Sequence, residues 1–437
     1  MTQTTKEKVY ELLTADGDER VCKDIPDSAC QEEPKNFLTH VTSLSASKMA
    51  DGLVDPKLVL SWLLTTLGAP AAFVGMLVPI REAGALLPQL FTASSLRQLP
   101  KRKWAWAAGA MVQGLCALAM AIAALTLKGV ALGTTILTAL TILALARSVC
   151  SVTYKDVLGK TVSKSRRGTA TGTASSVAAG VVLLFGALLA IPVLPRLGLV
   201  TGGLFLAGLS WIIGALLFTR LEERAGATEG GGNAFNEALG QFSLLKEDPQ
   251  LRYFILTRGL LISTALAPPF MVALGVKAGQ DNMGDAFGGL GLLVIASATA
   301  ALLSSYVWGR LADRSSRMVL VFSGVAASLA LISLLVFNGF GWLEQIWALP
   351  LTLFGLMIAY NGVRLGRSTH LVDMATEETR APYTALSNTL IGLLLLAGSG
   401  FSWVASVYGE SVVIGLFALM SAGAAVSGLM LKEVQKE

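Results

Sequence analysis

Residues 104–127 read WAWAAGAMVQGLCALAMAIAALTL, a stretch of 24 residues without a charge. Roughly 20 apolar residues in a helix cross the hydrocarbon core of a bilayer, so this run is long enough to span one. Comparable runs recur at about 130–153, 169–191, 198–219, 252–277, 285–308, 317–338, 344–363, 383–406 and 411–431. Backbone groups in hydrocarbon must be satisfied within the segment itself, which makes the chain an all-α polytopic membrane protein. The mean hydropathy of +0.63 agrees and leaves little of the 437 residues for soluble domains.

The net charge of +5 does not point to nucleic acid, because the cations collect between spans. They cluster at Arg97, Lys101, Arg102 and Lys103, at Lys155, Lys160, Lys164, Arg166 and Arg167, and at Arg310, Arg314 and Arg317. The alternate connections carry mainly Lys128, Arg196 and Lys277. This asymmetry follows the positive-inside rule and puts both termini in the cytoplasm for an even number of spans. Residues 1–36 are net acidic, lack the apolar core of a signal peptide and read as a cytoplasmic tail. Cys22 and Cys30 in that tail, with His40 the nearest imidazole, match no zinc-ligand spacing, so no metal is expected.

Between 58 and 98 two readings compete. Hydropathy alone turns the chain at Arg81-Glu82 and leaves 37–57 outside the membrane. Internal similarity places the turn at Gly68-Ala69-Pro70, with span 1 over about 37–66 and span 2 over about 71–98, and is preferred. A second correspondence supports a repeat: Arg147 and Asp156 at the end of span 4 stand nine positions apart, as do Arg364 and Asp373 at the end of span 10. The implied organisation is a tail (1–36), two pseudo-symmetric six-helix bundles (37–220 and 251–431), a Gly-rich linker (221–250) and a short C-terminal tail (432–437).

On these residues the chain resembles the major facilitator superfamily of twelve-helix secondary transporters. Gly309-Arg310-Leu311-Ala312-Asp313-Arg314-Ser315-Ser316-Arg317 matches that superfamily's G-x-x-x-D-R-x-x-R signature between spans 8 and 9. The equivalent connection between spans 2 and 3 keeps Lys101, Arg102 and Lys103 without an aspartate. The resemblance implies alternating access, with Asp313, Arg314 and Arg317 stabilising one state of a cytoplasmic gate. Arg147, Asp156, Arg364 and Asp373 are expected to act as charge locks at helix ends.

Charges at membrane depth are costly and mark aqueous cavities or partners. Lys48, Asp51 and Asp55 share one stripe of span 1, and span 2 carries Arg81, Glu82 and Gln89. Arg81 is expected to balance Asp51 or Asp55, leaving a carboxylate free to couple protons to transport. Span 7 is nearly chargeless, so the first bundle is expected to supply charge and the second shape, with a bend at Pro268-Pro269 and polar groups from Tyr360, Asn361 and Asn388.

No Gly-x-x-x-x-Gly-Lys-Ser/Thr loop and no nucleophile or metal-ligand constellation occurs in the spans, which argues against an ATP-driven pump or a membrane enzyme. The expectation is a transporter of a small organic solute in a bacterial inner membrane. It would be driven by a proton or ion gradient, with the lipid bilayer as its surroundings and no cofactor or nucleic-acid partner. The alternative is a transporter-like assembly factor, receptor or lipid- and pigment-handling protein that binds partners through the acidic tail.

Overall fold

Asp55-Pro56 decides the shape of the first helix. Proline lacks the N–H that a continuing helix needs and pushes the preceding residue out of the helical region. The structure is a computed structural model that describes residues 32–88, 96, 99–225, 244–278, 289–375 and 380–434. In it the first helix is split into α1 (Glu33–Val54) and α2 (Val59–Thr66), with Asp55 in a non-helical conformation. The continuous helix expected over 37–66 is corrected on both counts, since it starts earlier, beside Pro34, and breaks at Pro56. Asp55 bridges the break: its Oδ1 accepts the Lys57 N–H at 2.8 Å, and its carbonyl accepts from Val59 and Leu60.

A turn at Gly68-Ala69-Pro70, with Gly68 at φ +74°, leads into α3 (Ala71–Leu86). The repeat-based placement therefore holds over the hydropathy-only one. The first half continues with α4 (Lys103–Thr126), α5 (Gly129–Thr161), α6 (Lys164–Ala190) and α7 (Arg196–Phe218). The second half has α8 (Pro249–Leu260), α9 (Ser263–Ala278), α10 (Gly289–Arg314), α11 (Ser316–Gly339), α12 (Ala348–Met374), α13 (Arg380–Ala397), α14 (Gly400–Tyr408) and α15 (Glu410–Gly428). The helix is interrupted at Leu261-Ile262, and the Pro268-Pro269 pair, where a break or bend is expected, sits inside α9. A proline ring crowds the carbonyl four residues back, so its disturbance is felt toward Thr264 and Ala265, just past the interruption.

Nine helical stretches among the described residues are long and apolar enough to cross a membrane. The chain is an integral membrane protein. The other three of the expected twelve correspond to α1 with α2, which carry the break, to α3, which carries charges described below, and to α10, whose apolar stretch is Gly289–Ser304.

The internal repeat is visible in the packing. In the first half α4 packs on α5 and α7, α3 on α5, and α1 on α6 and α7. In the second half α11 packs on α12 and α15, α10 on α12, and α8 on α13 and α15, the same pattern in order. The halves meet where α2 and α3 touch α9, where α3 touches α13 and α14, and where α6 touches α10. These seams favour the face away from the chain termini: a Cβ on Gly291 would lie 2.6 Å from the Leu189 backbone, and one on Gly75 would lie 2.9 Å from the Phe270 ring. At Gly291 the neighbour is backbone, an approach that only glycine allows, while at Gly75 it is the side chains of Phe270 and Ser402.

On the terminal face, the ion pairs seen among the described residues stay within a half. They include Lys35 with Glu222 at 3.1 Å in the first and Arg317 with Glu433 at 3.8 Å in the second.

Candidate functional site

Asp51 lies on α1, roughly 22 Å of helix from Thr66 and roughly 27 Å from Glu33, which is mid-depth. Its Oδ1 accepts from Arg81 Nη2 of α3 at 2.6 Å, and its Oδ2 accepts from Arg147 Nη1 of α5. One carboxylate thus bridges two guanidiniums from two neighbouring helices. The Asp51–Arg81 pair is the expected balance. Arg147 is a correction: it stands roughly 13 Å of helix from Asp156 and turns into the site rather than locking a helix end.

Lys48, one turn below on the same stripe, donates to Ser175 Oγ of α6 at 2.5 Å and lies in the field of Asp51, Arg147 and Arg364. Asp55 serves the backbone at the break and lies in the field of Lys57, Arg81 and Glu82. Glu82, the neighbour of Arg81 on α3, lies among Lys57, Arg81, Arg364 and Arg367. Gln89 falls outside the described residues.

Between the halves sits a contact that the sequence reading did not single out. The break after Asp55 turns the buried Lys57 toward α12, where its Nζ lies 3.3 Å from the centroid of the Tyr360 ring. Arg364, one turn on along α12, has its guanidinium carbon 6.0 Å from the same ring. Asn361 donates to its own helix at Met357, 2.8 Å away. Asn388 Oδ1 on α13 accepts from Arg258 Nη2 at 2.9 Å, while Arg258 Nη1 donates to Ser387 Oγ at 2.6 Å.

The division into a charged first half and an uncharged second half is therefore corrected. The second half brings Arg258, Arg364 and Arg367 to this level. Three signals were present in the sequence: the helix-breaking Asp55-Pro56 before Lys57, a lone Arg258 in an apolar span, and the i, i+3 spacing of Arg364 and Arg367 on one face.

The terminal face holds the remaining candidates. Asp156 pairs with Arg102 and, at 2.7 Å, with Lys160. Glu223, after α7, accepts the backbone N–H groups of Arg102 and Lys103 at 3.0 and 2.7 Å, closing the start of α4. In the second half Ser315 caps α11 by accepting from Met318 N at 3.1 Å and donates to Glu433 at 2.5 Å. Arg317 pairs with Glu433 and donates to the Leu431 carbonyl at 3.1 Å. Arg314 is exposed and ends α10, and the Asp313 side chain lies outside the described set. Arg364 belongs to the central site and not to an end lock with Asp373, nine residues further along α12. No group of three or more His, Cys, Asp or Glu suited to a metal occurs among the described residues.

No protein-family model and no curated protein matches the sequence. Solved structures do match in fold. A point mutant of the nucleoside transporter NupG superposes with a TM-score of 0.73 at 14% identity, covering 91% of this chain and 100% of the other. The D-xylose-proton symporter superposes at 0.63 with 10% identity, covering 92% and 98%. A POT family transporter in complex with 5-aminolevulinic acid superposes at 0.68 with 10% identity, covering 94% and 98%. The chain has the major facilitator fold.

Proposed function

We propose that the protein is a secondary active transporter that moves a small organic solute by alternating access. The observation carrying this reading is the charged cluster of Asp51, Arg81, Arg147, Lys57 and Glu82, which sits at mid-depth where the halves of a major facilitator fold meet. Charges so deep in a membrane are kept where they face a solute pathway. Transporters built from structural repeats place their sites at this interface and rock one bundle against the other.

The two bundles would be 37–220 and 251–431, with helix starts adjusted as described. Cross-half packing lies mainly on the face away from the termini, and the terminal-face ion pairs among the described residues stay within each half. With the basic clusters on the cytoplasmic side, this is a cytoplasm-facing state. Both termini would then be cytoplasmic, in a bacterial inner membrane. Asp156, Arg102, Lys160 and Glu223 would tie one half's cytoplasmic ends together, and Arg317, Ser315 and Glu433 the other's. The drive would be a proton gradient, because Glu82 and Asp55 are carboxylates whose proton occupancy sets how many nearby cations stay uncompensated.

Alternation is testable without knowing the cargo. Spin labels on the cytoplasmic ends of α5 and α12 should show two distance populations in proteoliposomes, with their ratio responding to pH. A single distance under all conditions would remove alternating access.

A further inference from the structure

The cations at the centre are not matched by carboxylates. Lys48, Lys57, Arg81, Arg147, Arg258, Arg364 and Arg367 gather around Asp51, Asp55 and Glu82, so seven cations face three carboxylates among the described residues. Both oxygens of Asp51 are already engaged by Arg81 and Arg147. Arg258 has only the neutral Ser387 and Asn388, and its Nε is buried without a partner among the described residues. Lys57 rests on the Tyr360 ring face, which attracts a cation but carries no compensating charge. Arg364 is exposed in the middle of α12, roughly 24 Å of helix from Ala348, where exposure means facing a cavity or lipid. Its closeness to Lys57, Lys48 and Glu82 says cavity.

An uncompensated cluster of cations at membrane depth is expensive. It persists where a ligand supplies the missing charge, and guanidiniums match the geometry of carboxylate, phosphate and sulfonate groups. Resting on the transporter reading above, we infer that the cargo is an organic anion with at least two negative charges, held between Arg364 and Arg367 of α12 and Lys57 at the break between α1 and α2. A neutral sugar, nucleoside or zwitterionic peptide would leave the surplus unanswered.

The test uses the full-length protein in detergent, with thermal unfolding followed by tryptophan fluorescence. The probes are phthalate, succinate and 3-phosphoglycerate as anions and uridine, D-xylose and dialanine as non-anionic solutes, all at matched ionic strength. At least one anion should raise the unfolding midpoint saturably. The rise should be lost in Arg364→Gln and weakened in Arg367→Gln, each of which must elute as a single species, and it should shrink as salt is added.

The inference is overturned if no anion stabilises the protein, if a non-anionic solute does so equally, or if both variants keep the full response. The spin-label distances separate the two readings. A protein that alternates but ignores the anions loses the cargo class alone, and one that does neither loses the transporter reading as well.

Discussion

Glu223 and Glu433 hold matching places in the two halves. Each lies two residues past a buried leucine, Leu221 or Leu431, beyond the last helix of its half, and each carboxylate reaches the start of the third helix of that half. The basic residues repeat as well: Lys103 Nζ donates to the Leu221 carbonyl at 2.6 Å, and Arg317 Nη1 to the Leu431 carbonyl at 3.1 Å. Glu223 accepts backbone N–H groups at the start of α4, whereas Glu433 accepts from the hydroxyl of Ser315, the residue that caps α11, and pairs with Arg317; both oppose the positive end of a helix. Glu223→Ala and Glu433→Ala should each lower stability by about 1–2 kcal/mol, the range of a lost N-cap. The sites are in separate halves, so the losses should add. Thermal unfolding of both single variants and the double variant checks this, and an unchanged midpoint in either single variant would end the structural account.

Asp51 serves two arginines, and this predicts an asymmetry. Asp51→Ala leaves both Arg81 and Arg147 without their shared carboxylate, whereas Arg81→Met leaves Asp51 still paired with Arg147. Stranding a fully buried charge costs about 3–5 kcal/mol; these side chains are only half-buried, so the aspartate variant should lose less than that and each arginine variant distinctly less again. Equal losses for Asp51→Ala and Arg81→Met would contradict the shared bridge.

The fold was legible because hydropathy marks ten of the spans and the internal repeat supplies the turn between 58 and 98, where hydropathy alone misplaces it. Gly68-Ala69-Pro70 and the 309–317 motif are local signals that need no tertiary context. The pairing of Asp51 with Arg81 was also within reach, since both fall at one depth on adjacent spans. Arg147 was not: its spacing to Asp156 suggests a local pair, and only the rotation of α5 turns it inward. The helix runs unbroken through Pro268-Pro269 and is interrupted before Ser263 instead, because proline acts on the turn that precedes it. Lys57 was missed because Asp55 drew attention as a charge, while its structural effect comes from the proline that follows it.

Lys57 and Tyr360 join the halves through one cation–π contact at 3.3 Å. A desolvated contact of this kind contributes about 2 kcal/mol, or a factor of roughly thirty in a two-state population. Tyr360→Phe keeps the ring and should leave the spin-label distance distribution between α5 and α12 nearly unchanged. Tyr360→Leu removes the ring and should shift it several-fold away from the present state. If the two variants behave alike, the contact does not weight the equilibrium.

Glu82 sits among Lys57, Arg81, Arg364 and Arg367, with Asp55 the nearby second carboxylate. An anionic cargo and an ionised Glu82 compete for the same cations, so cargo should bind best when Glu82 carries a proton. Binding then takes protons up, and affinity falls as pH rises through the titration of Glu82. In weakly buffered solution, adding a binding anion should raise the pH with wild-type protein. Glu82→Gln, a fixed mimic of the protonated form, should show no uptake and keep its affinity at high pH. An Asp55→Asn variant distinguishes the two carboxylates: if it abolishes uptake while Glu82→Gln does not, the coupling group is Asp55.

Gly291 sets how closely α6 and α10 approach on the face away from the termini. A Cβ there would lie 2.6 Å from the Leu189 carbonyl carbon and 2.7 Å from Ala190 Cα, both backbone atoms that cannot turn aside as a side chain can. Gly291→Val must therefore push the halves apart at this seam, and overpacking of this kind costs about 1–3 kcal/mol. The cost falls only on the state in which the seam is closed, so the equilibrium should move toward the opposite opening rather than the protein simply losing stability. A cysteine placed at the exposed Val193, in the connection between α6 and α7, serves as the labelling reference. A cysteine at Leu290, buried beside the seam, should react with a membrane-impermeant maleimide several-fold faster in the Gly291→Val background. Unchanged labelling at Leu290, with the Val193 reference intact, would show that this seam does not open.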